Sequence, residues 1–156
     1  MSDTGDARGL AETCLVETAE GPVVMSGTPK KGFAVMTRMP NGELGFRQLI
    51  RVERREGVPL VRVRLDNGHR FVVARDHPVY RAGMQPAPAE ELAAGDALES
   101  AFRYPDGYLL GETDEVPAGW GIHVVGIEPA GDGTVMFGTV RDTHQLFVTA
   151  GVLCGE

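Results

Sequence analysis

The sequence predicts a compact all-β domain with internal pseudo-symmetry, and three observations carry that reading. Residues 60–80 spell out a hairpin: Val61, Val63 and Leu65 alternate with Arg62 and Arg64, Asp66-Asn67-Gly68 supplies the turn, and Phe71-Val72-Val73 resumes the strand. The pattern recurs near the C-terminus. Val52-Glu53, Gly57-Val58-Pro59, Val61 and Val63, Asp66, His69 and Phe71-Val72-Val73-Ala74 are echoed in order by Ile127-Glu128, Asp132-Gly133, Val135 and Phe137, Asp142, His144 and Phe147-Val148-Thr149-Ala150. The 21 glycines and 10 prolines are spread between short apolar runs, which suits many strands and tight turns better than helices. Two copies are too few for a solenoid, so they point to one domain built from two related β subunits.

Taken in order, residues 1–12 are rich in Asp, Gly and Ala without apolar periodicity and read as a mobile leader, with the domain spanning residues 13–156. Cys14-Leu15-Val16-Glu17-Thr18 begins the strands, and Ala19-Glu20-Gly21-Pro22 turns the chain. Residues 33–38 form a second strand, and Pro40-Asn41-Gly42 leads into a longer one over residues 43–54. After the central hairpin, residues 86–94 are the one helical candidate, with Glu90 and Glu91 in the first turn and Gly95 as the stop. Residues 96–104 read as a strand and 105–121 as irregular. Strands over 122–128, 135–140, 145–149 and 151–154 complete the β content.

The bulk numbers exclude several function classes. A chain of 156 residues makes one domain that buries about 70% of its unfolded surface. A net charge of −7 disfavours a nucleic-acid partner, which needs clustered Lys and Arg. Basic residues do gather over residues 47–70, but at alternate strand positions, as on a solvated sheet face. Two cysteines do not make a secreted disulfide scaffold, the N-terminus is no signal peptide, and no apolar run approaches a membrane span. A cytoplasmic protein, without membrane contact and without a cofactor, is the expectation.

The residues best suited to chemistry are Cys14, Cys154 and the four histidines. A Cys beside a His forms a thiolate that attacks a carbonyl, with the imidazole moving the proton. His77 stands just past a well-held strand, next to Asp76 and before Pro78. The bland reading of Cys14 is a small buried residue at the start of a strand. A zinc site from Cys14, His77, His144 and Cys154 lacks the close spacing that places two ligands on one turn. Phosphate-loop, nucleophile-elbow and dinucleotide-binding motifs are absent.

Together these segments resemble the Hint fold shared by inteins, hedgehog autoprocessing domains and bacterial intein-like domains. Val16-Glu17-Thr18-Ala19-Glu20-Gly21-Pro22 is similar to the family's opening strand and turn, and Gly32-Phe33-Ala34-Val35-Met36-Thr37 to its next strand. Residues 68–79 resemble its central block, which ends T-x-x-H-P-V. Leu92-Ala93-Ala94-Gly95-Asp96 resembles its L-x-x-G-D segment, and residues 140–156 its closing block, which ends in His-Asn.

The resemblance implies self-processing rather than turnover. A Cys or Ser at the start attacks the preceding carbonyl in an N-to-S acyl shift, and the T-x-x-H block destabilises the scissile peptide. In splicing members a terminal His-Asn pair then releases the other side by asparagine cyclisation. On this reading the chain's own N-terminal flanking peptide is the substrate, Cys14 attacks the carbonyl of Thr13, His77 protonates the departing amine, and His144 assists. Four positions depart from the pattern: Ala74 replaces the threonine, Phe137 stands where many members carry an aspartate, and Gly155-Glu156 replaces His-Asn, so asparagine cyclisation is not available. Two alignments stay open at the start. One makes Cys14 the first residue; the other sets Gly21 at the family's turn and leaves Gly9 in the nucleophile's place. The alternative function is a catalytically inactive Hint-like scaffold that binds a protein partner, through a sheet edge or through residues 105–121. Because the ends of a Hint domain converge, a Cys14–Cys154 disulfide is a further implication of the resemblance.

Overall fold

The computed structural model describes residues 8–27, 33–101, 109–110, 114–115 and 122–156. Strands β1 (Leu10–Ala11), β2 (Leu15–Thr18), β3 (Gly21–Val24), β4 (Phe33–Arg38) and β5 (Leu44–Leu65) come first. They are followed by β6 (Arg70–Ala74), β7 (Pro78–Arg81), β8 (Gln85–Pro88) and β9 (Ala97–Leu98). A separate two-stranded ribbon holds β10 (Leu109–Leu110) and β11 (Asp114–Glu115), and β12 (Ile122–Val140), β13 (Gln145–Phe147) and β14 (Leu153–Gly155) close the chain.

Gly57-Val58-Pro59 and Asp132-Gly133, which fall between the strands expected from the sequence, do not end strands. Both lie inside continuous ones, β5 of 22 residues and β12 of 19, which pair antiparallel along their length. Register shifts between Val124 and Gly126, Pro129 and Asp132, Gly133 and Val135, and Phe137 and Thr139 let the ribbon bend where a straight strand of that length would leave the core. At the last of these the backbones approach so closely that a Cβ on Gly138 would sit 2.8 Å from the Ile50 carbonyl oxygen.

The sequence echo becomes a spatial one in this ribbon. Val63 faces Ile127, and Phe137 faces Glu53. The middle of each repeated unit therefore lies against the beginning of the other, in both directions, as a two-fold relation between the units requires. The remaining strands wrap around the ribbon in the order β13-β14-β7-β9-β12-β1-β6-β5-β4-β2-β3, with β8 beside β7. A bridge between Val16 and Val148 brings β2 back to the residue after β13, so the sheet curls towards a ring.

The ring encloses Val16, Val35, Leu49, Val63, Val73, Val79, Leu146 and Cys154, all buried in one core. One ion pair is buried with them: Arg38 and Glu99 approach to 3.5 Å with the Glu99 side chain 1% exposed. The Arg38 guanidinium also donates to the carbonyls of Gly42 (3.0 Å) and Ser100 (2.6 Å) and lies over the Phe147 ring. Glu99 in turn accepts from the N–H of Gly83 at 3.2 Å.

Three local expectations are corrected. Residues 86–94 are not an α-helix: β8 runs through them to Pro88, and only Ala89–Glu91 makes a single 3-10 turn. Pro86 and Pro88 lack donors at alternate positions, and Pro88 holds an extended ψ of 140°, which suits an edge strand and not a helix. The strand expected over residues 96–104 shortens to β9, and residues 102–108 lie outside the described residues. Residues 8–12 are not a leader but part of the fold, with Leu10 1% and Ala11 4% exposed between β6 and β12. Residues 1–7 lie outside the described residues.

Candidate functional site

The turn after β6 places His77. The N–H of His77 donates to the carbonyl of Ala74 at 3.0 Å, and the His77 carbonyl accepts from Ala89, so the imidazole enters the interior on a backbone held at both ends. His77 is fully buried. Its Nδ1 accepts from the N–H of Gly9 at 2.9 Å, and its Nε2 lies 2.9 Å from the carbonyl oxygen of Gly155. An acceptor at Nδ1 leaves the proton on Nε2, which donates to Gly155, so the ring is the neutral Nε2–H tautomer. Burial lowers its pKa from 6.5 to about 4; the Gly155 bond opposes this and the Arg8 charge adds to it. Asp76 turns to Arg75 at 3.5 Å.

One histidine therefore holds both ends of the described chain. On the N-terminal side the carbonyl of Gly9 also accepts from the N–H of Ala74 at 2.9 Å. Gly9 has φ +128°, and a Cβ built on it would lie 2.8 Å from Cβ and 2.9 Å from Cγ2 of Val135. This position admits no side chain. Around it Val58, Ala74 and Val135 form a small apolar cluster, with Leu60 and Phe137 packed against it and the Arg55 guanidinium over the Phe137 ring.

On the C-terminal side the carboxylate of Glu156 is engaged twice. One oxygen accepts from the N–H of Val140, and the other lies 3.0 Å from Nδ1 of His144. His144 adopts φ 56° in a turn where Asp142 also has a positive φ of 67°. Thr143 steadies that turn from below through a 2.7 Å bond to Thr37, and Arg47 holds Asp142 at 3.1 Å. The two sequence-predicted histidines thus meet consecutive residues of the closing segment, Gly155 and Glu156.

Cys14 is not brought to this centre. Its N–H donates to the carbonyl of Ala11 at 2.8 Å, and both nitrogens of His77 are bonded elsewhere. It lines a separate cavity of about 230 Å³ with Leu15, His69, Arg70, Phe71 and Val72. Burial pushes its thiol up to about 12, only partly offset by a backbone bond from Val72, so it is a thiol and not a thiolate at neutral pH. Cys154 is fully buried too; burial and the nearby Cys14 raise its pKa, and both cysteines are free. Among the described residues no three His, Cys, Asp or Glu side chains converge as metal ligands would.

No protein-family profile and no curated protein matches the sequence. Solved structures do. The bacterial intein-like domain from Clostridium thermocellum matches with a TM-score of 0.73 at 19% identity, over 96% of this chain and 98% of that one. The DnaB intein from Synechocystis matches with 0.72 at 15% identity, over 96% and 99%, and the gp41-1 intein with 0.70 at 13%, over 96% and 98%. The chain has the Hint fold.

Of the two residues that the alternative alignments of this Hint domain put at its start, His77 bonds to Gly9, and Cys14 lies in a separate cavity. Sequence reasoning found His77 and His144 from the block pattern. It had no means of finding Val135, which meets Gly9 across two strands, and the one signal for Gly9 was the spacing back from Gly21.

Proposed function

We propose that this Hint domain gathers the peptide at Gly9 and the closing residues Gly155 and Glu156 around His77 but does not process them. The observation that carries the reading is the apolar cluster on Gly9. Where the resemblance places a nucleophile, a threonine hydroxyl and an aspartate, this chain has a glycine, Ala74 and Phe137; Ala74 and Phe137 pack with Val58 and Val135, and Val135 stands against Gly9. An acyl shift needs a nucleophilic atom beside the preceding carbonyl, and Gly9 carries none. The neutral His77 presents a lone pair to the Gly9 N–H, so at this tautomer it cannot donate the proton that a departing amine requires. At the other end Glu156 offers an acceptor-only carboxylate, already bonded to Val140 and His144, in place of a nucleophilic amide.

Strand addition is a poor route for a partner. In β8 the N–H of the following Ala89 points to β7, so Gln85 and Ala87 point the same way, and the outward positions are Pro86 and Pro88. Edge strand β3 has Pro22 in the outward-facing set, since the N–H of Met25 points inward to Cys14. A retained domain that holds its flanks together is the function these features support.

The test is the intact mass of the full chain with an N-terminal tag, before and after prolonged incubation with a thiol and with hydroxylamine. An unchanged mass is expected for the wild type and for Cys14→Ala alike. Thiol-dependent loss of everything before Cys14, absent in Cys14→Ala, would instead establish N-terminal cleavage at that residue.

A further inference from the structure

On the face where β12, β5 and β6 run side by side, positive charge is set against positive charge. Arg64 of β5 pairs directly with Arg70 of β6, and Arg62 follows on the same face two residues away. On the other flank Arg62 stands opposite Glu128 and Arg64 opposite Gly126. The two arginines share one carboxylate oxygen, Oε1 of Glu128, at 3.4 Å from Arg62 and 3.8 Å from Arg64. The Arg64 guanidinium lies across Gly126, where a Cβ would come within 3.2 Å of its Nη2. Among the described residues no carboxylate pairs with Arg70. Asp66, at the adjoining turn, is held by His123 at 3.0 Å, and Glu17 accepts from the hydroxyl of Thr149 at 2.7 Å. Like charges directly opposite each other destabilise a sheet, so three arginines sharing one carboxylate leave this face short of negative charge.

Arg70 also lines the cavity of about 230 Å³ that contains Cys14, together with Leu15, Phe71, Val72, Thr13 and Thr149. We infer that Arg64 and Arg70 clamp the phosphate of a small soluble phosphomonoester whose uncharged body enters this cavity. Directly opposite residues have Cβ atoms about 4.5–5.5 Å apart, so two guanidiniums there reach one tetrahedral dianion from two sides. Each presents the planar fork of donors that suits phosphate oxygens, and Arg62 retains Glu128 when Arg64 turns to the anion. The cavity is smaller than the ~300–1,000 Å³ of pockets for drug-sized ligands, which limits the body to the scale of a single ring and favours a small molecule over a polymer. Neither Gly9 nor the closing residues take part, so the mass assay above can come out either way without touching the clamp.

The experiment titrates the full chain with phenyl phosphate, inorganic phosphate and phenol at constant ionic strength and follows the backbone amide NMR shifts. Phenyl phosphate is expected to bind saturably, with shifts gathered at residues 13–15, 64, 69–72 and 149–150. Inorganic phosphate should bind several-fold more weakly, and phenol should give no saturable shift. Arg64→Gln and Arg70→Gln should each weaken phenyl phosphate by about tenfold or more. Arg51→Gln, which removes an equal charge from an exposed position elsewhere on β5, should leave it unchanged. Each clamp variant should melt no lower than the wild type, because it relieves the opposed pair. Shifts that never saturate, equal weakening by Arg51→Gln, inorganic phosphate binding as tightly as phenyl phosphate, or clamp variants that lose stability along with binding would overturn the assignment.

Discussion

The N–H of Gly9 donates to Nδ1 of His77 at 2.9 Å. That bond can exist only while the imidazole is neutral, because protonation of Nδ1 would set two donors against each other inside the core. Burial secures the neutral form by holding the pKa at about 4.

Stability should therefore depend on pH through His77. Its native pKa lies below the unfolded value of 6.5, so between the two the unfolded chain carries a proton that the native chain refuses. The contribution is fully present above about pH 6.5 and is lost as pH falls towards about 4, amounting to about 3 kcal/mol. Urea unfolding of the wild type and His77→Gln at pH 7.5 and 5 reads it: the wild type should lose more on acidification than the variant. Equal losses would place the pH dependence in other groups.

Gly9→Ala should destabilise the domain by about 2–4 kcal/mol, from the clash and the positive φ together. Val135→Ala in the same chain should recover only part of that loss. It removes Cγ2 but leaves Cβ, which lies 2.8 Å away, and does nothing for φ. Chemical denaturation of the two single variants and the double closes the cycle; strict additivity would mean that the two residues do not press on each other.

Removing Glu99 takes away the carboxylate that lies 3.5 Å from the buried Arg38 guanidinium. Glu99→Ala should cost about 3–5 kcal/mol, whereas the joint replacement Arg38→Met with Glu99→Leu should come close to the wild type. Thermal melts of both variants distinguish a pair that stabilises from one that merely must not be broken. A mild Glu99→Ala would show that water reaches the site.

Pro86 and Pro88 leave the outward edge of β8 without donors. Replacing both with threonine should keep the fold and restore two outward N–H groups, making an edge that another strand can join. Sedimentation or light scattering should then show association that rises with concentration in the double variant and not in the wild type. A variant that stays monomeric at high concentration would mean that something else guards this edge.

The fold was legible in the sequence where the pattern is local or repeated. The hairpin of β5 and β6 declares itself through alternation and Asp66-Asn67-Gly68, and the echo between residues 52–74 and 127–150 anticipates the pairing of β5 with β12. Continuity was not legible, because Gly57-Val58-Pro59 and Asp132-Gly133 are turn chemistry in isolation and become bulges only when the partner strand lies alongside. The centre at His77 was half legible. Its histidine belongs to a contiguous block, but Gly9 and Val135 are 126 positions apart by their numbering and meet through β1 lying against β12. Leu10 and Ala11 alone are too short an apolar run to announce a strand that other strands complete.

Gly9 and Gly155 grip opposite nitrogens of one ring, each at 2.9 Å, so the gripping atoms lie no more than about 8 Å apart. Seen mechanically, the imidazole is a clasp with its two hydrogen bonds in series. A force drawn outward on the two ends would load that clasp together with the bonds from Ala74 to Gly9 and from Val140 to Glu156. Whatever is attached on either side would be kept shoulder to shoulder until the clasp and these neighbouring bonds parted.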